Sequence, residues 1–116
     1  MQALVTLNET TFVESARALG LKTVEEGGKS DHERATFAFR RCLSRTPTPE
    51  ELSVLIEMKT KTSQSVASDS AKALKLAGIT AAKVTAIENM ATPSELAGWV
   101  AVSRVLLNLD ETITKE

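Results

Sequence analysis

The sequence predicts an all-α fold, a helical bundle of five or six helices around a central hydrophobic C-terminal helix, with residues 1–116 forming one domain. Three observations predict it. Helix-start chemistry recurs along the chain, the apolar residues between those starts repeat at three- and four-residue steps, and no run alternates apolar and polar with period two across a turn signal. A chain of 116 residues suffices for one core, because a domain of that size buries roughly two-thirds of its unfolded surface.

The starts are specific. Thr48-Pro49-Glu50-Glu51 puts threonine at the N-cap, proline at the first helical position where its missing N–H costs nothing, and a glutamate three residues on to bond back to the cap. Thr92-Pro93-Ser94-Glu95 repeats that chemistry, and Ser30-Asp31-His32-Glu33 is a third capping box, preceded by Gly27 and Gly28, which supply the positive φ that ends a helix. Asn8 before Glu9 is a fourth cap. The two Thr-Pro-x-Glu boxes lie 44 residues apart, which the shared capping physics explains better than an internal repeat.

The elements follow in order. Phe12, Ala16, Leu19 and Thr23, joined by Val13 and Val24, line one stripe of the first helix; Ala35, Ala38, Phe39, Cys42 and Leu43 line the second. Leu52, Leu55, Ile56 and Val66 continue in a third helix whose far half turns polar through Lys59, Lys61, Ser63, Gln64 and Ser65, so that end is expected to project into solvent. Ser68 starts a short helix through Ala71, Leu74 and Ala77, stopped by Gly78, and residues 79–91 are loosely periodic. Leu96, Trp99, Val100, Val102, Val105, Leu106, Leu107 and Leu109 place apolar groups on nearly every face of the last helix, which is therefore the central one, with Trp99 buried and Asp110-Glu111 ending it.

Composition bounds the function. Lys and Arg total 14 against 15 Asp and Glu, so the net charge of -1 gives no bulk drive toward nucleic acid or anionic lipid. One Cys excludes an internal disulfide framework, and one His leaves no ordinary zinc cluster within a chain. The first residues do not read as a signal peptide, and Ser103 and Arg104 interrupt the longest apolar stretch well short of a membrane-spanning helix, so no membrane insertion is expected.

Few residues offer chemistry. His32 sits in an exposed first helical turn, and Cys42 falls on an apolar stripe, where an unpaired thiol behaves as a small hydrophobe. The carboxylate pair Glu25-Glu26 sits at a helix end and Glu50-Glu51 at a helix start, where capping and the dipole explain the second pair without chemistry. No haem-attachment motif, glycine-rich phosphate loop or nucleophile elbow is present, so no catalytic, cofactor or metal residue is assigned. Residues 34–46 carry Arg34, Arg40, Arg41 and Arg45 with no acid, and residues 58–83 carry five Lys against Asp69. The four arginines are the candidates for partner contact, and for nucleic acid in the least favoured reading. Trp99, Asn108, Asp110 and Glu111 are the candidates for a polar site edge.

The stretches Gln2-Ala3-Leu4-Val5-Thr6-Leu7-Asn8, Phe12-Val13-Glu14, Ala16-Arg17-Ala18-Leu19, Ala38-Phe39-Arg40, Arg45-Thr46-Pro47-Thr48-Pro49-Glu50-Glu51-Leu52, Glu95-Leu96-Ala97 with Trp99, and Leu106-Leu107-Asn108-Leu109-Asp110-Glu111 occur in the order found in a known family. Together they resemble the C-terminal region of the planctomycete cytochrome-c-associated domain of unknown function, also called planctomycete secreted domain one. Two departures from its pattern are Gly20, where a better helix former is usual, and the Lys- and Ser-rich segment 59–70.

The resemblance implies context more than chemistry. It implies a C-terminal part of a larger exported, extracytoplasmic multidomain protein that carries a c-type haem elsewhere in the parent chain. The part itself is then non-catalytic, its partner is the remainder of the parent, and an uncovered apolar patch makes the isolated chain prone to self-association. The alternatives are part of an enzyme acting on polysaccharide or in electron transfer, with an edge at Trp99, Asn108 and Asp110, and a small intracellular nucleic-acid binder.

Overall fold

The computed structural model describes residues 9–78 and 81–114, apart from the side chains at 9–11, 70, 81, 82, 84 and 110–114. Six helices follow in order: α1 Glu9–Glu26, α2 Asp31–Leu43, α3 Pro49–Val66, α4 Ser70–Ala77, α5 Ala81–Ile87 and α6 Pro93–Thr114. No strand occurs among the described residues. The predicted all-α bundle is the observed one.

The capping chemistry acts where the sequence places it. Ser30 accepts from the Glu33 N–H at 3.1 Å while the Glu33 carboxylate accepts from the Ser30 N–H at 3.1 Å. Thr48 and Glu51 exchange the same pair at 3.2 and 2.8 Å, and Thr92 and Glu95 do so at 3.2 and 2.9 Å. These bonds satisfy N–H groups that the first helical turn leaves without partners. Asn8, the fourth expected cap, lies outside the described residues. Between α1 and α2 only Gly28 adopts a positive φ, at 105°; Gly27 instead meets α2 closely, at Phe37 and Arg34. The N-cap of α4 is Asp69 rather than Ser68, accepting from the Lys72 N–H at 3.1 Å, and Gly78 closes the helix in the left-handed conformation.

Helix α6 is the axis of the bundle. It contacts α1, α2, α3 and α4, and Leu96, Ala97, Trp99, Val102, Ser103 and Leu106 are completely buried along it. It does not stop at Asp110-Glu111 but runs to Thr114. Acids near a helix C-terminus oppose the dipole by only about 0.3–1 kcal/mol each, too little to end a helix on their own. Two glycines let neighbours close on this axis. A Cβ on Gly20 of α1 would collide with Val100, and one on Gly98 would stand 2.6 Å from the Lys59 backbone oxygen and 2.5 Å from Ser63 Oγ. Helix α1 runs through Gly20 without a break, and the glycine there serves a close approach of helices.

The expectation that the polar half of α3 projects into solvent is corrected. Val66 is 1% exposed and Lys59 8% exposed, and the helix stays against α6. Lys59 achieves this by lying over the Trp99 ring, its Nζ 5.8 Å from the centroid, while the ammonium reaches Asp31 of α2 at 3.2 Å. Its aliphatic stem is buried and its charge is paired, which hydropathy alone does not reveal. The hydroxyls of the fully buried Thr23 and Ser103 are satisfied locally, Thr23 donating to Leu19 O and Ser103 to Trp99 O, both at 2.8 Å.

Candidate functional site

The expected basic surface is divided by the fold. Arg34 does not stand on it: it is 5% exposed, donating from Nε to Gly28 O at 3.0 Å and from a terminal nitrogen to Met90 O at 2.9 Å. It ties the α1–α2 loop to the turn before α6, and partner contact through its guanidinium is withdrawn. Arg45 is engaged too, forming a two-bond fork with Glu51 at 3.0 and 2.8 Å and lying 4.8 Å from the Phe39 ring centroid. Arg40 and Arg41 remain exposed near the end of α2, where basic residues also favour the helix dipole. With His32, Glu33, Thr36 and Phe37 they border a shallow groove on the outer face of that single helix, Arg41 sitting 5.4 Å from the Phe37 ring centroid.

Glu51 has a marked electrostatic signature. The Arg45 fork, followed by the Thr48 N–H, lowers its carboxyl to about 2 from an ordinary 4.5. Glu33 is lowered in the same way by the N–H groups of Ser30 and Lys29. A depressed carboxyl contributes stability that is present above its unfolded value and lost as pH falls through its folded one. Thermal stability is therefore expected to fall between pH 4.5 and about 2, and Glu51→Gln to flatten that fall. Equal slopes for Glu51→Gln and the parent chain in a pH series of melting curves would contradict the assignment.

The polar edge proposed from the sequence is not assembled as expected. Trp99 is 0% exposed, sealed beneath Lys59, so it cannot face a ligand. Asn108 is exposed on α6, nine residues further along, while Asp110 and Glu111 have side chains outside the described residues. Cys42 packs half-buried against the core and His32 is exposed. Glu25 pairs with Lys83 at 3.4 Å and Glu26 with Lys22 at 3.5 Å, so that acidic pair ties surface elements together. No group of three or more potential metal-binding side chains occurs among the described residues.

A different face gathers functional groups. Helices α1 and α6 lie antiparallel, because Phe12 shares a cleft with Val105 and Leu109 whereas Gly20 meets Val100. Along this seam are two adjacent clefts that share Arg104. One, of about 290 Å³, is bordered by Phe12, Val105, Asn108 and Leu109. The other, of about 340 Å³, lies where α4 joins α1 and α6, and Arg17, Lys72, Lys75 and Arg104 surround its apolar residues Val13, Leu76 and Val100. Lys72 and Lys75 share one face of α4 by their three-residue spacing, which the sequence makes visible. Their meeting with Arg17 and Arg104 is tertiary and was not expected.

The fold thus defines a small helical bundle with surface clefts along α6. The chain belongs to the PSD1 family, described as a protein of unknown function (DUF1553), whose family model matches residues 1–59. That match covers α1, α2 and the first half of α3. No curated protein and no solved structure shows a significant match.

Proposed function

We propose that the chain is a non-catalytic helical module at the C-terminus of an exported, c-type-haem-associated multidomain protein, and that it serves by packing against the remainder of that parent chain. The observation that carries the contact role is the open end of the α1–α6 seam. Val105 is 36% and Leu109 45% exposed there, beside the half-buried Phe12. Covering apolar surface stabilises a complex by about 25 cal/mol per Å², so neighbouring exposed apolar groups favour a covered state. The haem-associated and extracytoplasmic context is supported by the resemblance of both ends of the chain to the planctomycete domain, the matched family being described only as of unknown function. In this reading the haem belongs to the parent and no cofactor to this part. Among the described residues no helix is long and apolar enough to cross a membrane, so contact with a membrane interior is not invoked.

The isolated chain is expected to self-associate through the same face as its concentration rises. Sedimentation velocity should show growing mass-average size and binding of an apolar dye, both reduced in a Val105→Lys, Leu109→Lys double variant. A monomer at every concentration without dye binding would overturn the contact role.

A further inference from the structure

We infer that the cleft at the junction of α1, α4 and α6 is a binding site for a compact polyanion, a ligand carrying two or more closely spaced phosphate, sulfate or carboxylate groups. Four cations from three helices converge on it: Arg17, Lys72, Lys75 and Arg104. Among the described residues no carboxylate borders the cleft, and none of the four cations forms an ion pair. Most other engaged cations of the bundle are matched: Lys22 with Glu26, Arg45 with Glu51, Lys59 with Asp31, Lys61 with Glu57 and Lys83 with Glu25.

Arg17 gives the cleft a fixed element. Its guanidinium lies against Gly78, where a Cβ would collide with it, and its Nε is buried with no hydrogen-bond acceptor. A buried donor without an acceptor is costly, and a guanidinium meets an oxyanion by paired, charge-assisted hydrogen bonds. Gly78 is required there twice over, for its φ of 71° and for the space the arginine fills. Lys72 and Lys75, exposed on the rim, and Arg104 from the axis add mobile charges around that anchor. A concave site lined by one sign of charge over apolar walls concentrates the field toward a counter-ion. Like charges held together repel, and an anion with several charged groups relieves that repulsion more completely than a single one. This site is independent of the apolar contact at Val105 and Leu109, apart from the shared neighbour Arg104.

The test is isothermal titration of the whole chain with tripolyphosphate at low ionic strength, repeated with citrate and with sulfate. Saturable binding at one site per chain is expected, weakened at least roughly tenfold in a Lys75→Gln, Arg104→Gln variant, the scale of losing a single charge-assisted bond. A Lys22→Gln, Lys61→Gln variant removes the same charge from outside the cleft and should bind like the parent. Both pairs of positions are surface-exposed or half-buried, and melting curves check that each variant is folded. Tighter binding of tripolyphosphate assigns the site to phosphate groups and of citrate to carboxylates, whereas sulfate, with a single group, should bind more weakly than either; sulfate binding as tightly as both would overturn the polyanion reading. No saturable binding of any of the three, or equal weakening by the two double variants, would overturn the site.

Discussion

Trp99→Ala is expected to lower the stability of the bundle by on the order of 3–5 kcal/mol, the cost of deleting a large buried aromatic side chain whose site collapses only in part. Trp99 is the largest of the fully buried side chains and stands on the helix that touches four others. Its loss removes contacts to α6's neighbours and also the ring over which Lys59 lies, so that Lys59 and its partner Asp31 lose their apolar support. Chemical denaturation followed by circular dichroism measures the effect without needing the tryptophan signal. In the unsubstituted chain the same residue, the only tryptophan of its 116 residues, reports unfolding as a red shift of its emission. A near-neutral Trp99→Ala would contradict the placement of α6 as the axis.

Arg34→Met is the second large effect. Methionine keeps much of the buried stem's packing but removes the donors to Gly28 O and Met90 O. Each hydrogen bond to a charged group contributes about 1.5–3 kcal/mol, while relief of the guanidinium's burial offsets part of the sum, so a net loss of about 3 kcal/mol is expected. Arg40→Met and Arg41→Met, on the exposed end of the same helix, should stay within about 0.5 kcal/mol of the parent. The contrast between these variants, measured in one denaturation series, separates the buried arginine from the surface ones. Equal effects at the three positions would show that Arg34 is not the tie between the two loops.

The parts of this fold that were legible in the sequence are those set by local chemistry. Capping boxes at Ser30, Thr48 and Thr92 mark helix starts because the bonds they make span three residues, and the stripes through Ala16 and through Ala35–Phe39 follow from helical periodicity alone. What escaped depends on partners distant in sequence. Lys59 reads as solvent-facing until Asp31, 28 positions earlier, is brought beside it. Arg34 counts as one more surface charge until Met90, 56 positions later, accepts from it. The end of α6 was placed early because acids near a C-terminus signal a stop only weakly against continuous packing along the helix. Of the clefts, only the Lys72–Lys75 spacing was local. Arg17 and Arg104 join them through packing of α1 and α6, for which a single sequence carries no marker.

The proposed role makes this bundle a part of a larger haem-bearing protein. It is tested most directly by the size of the native protein in its source cells, found by blotting with an antibody to this chain and staining the same gel for covalently bound haem. A large, haem-positive, extracytoplasmic band is expected. A free, haem-negative band near 12.5 kDa in the cytoplasm would contradict it.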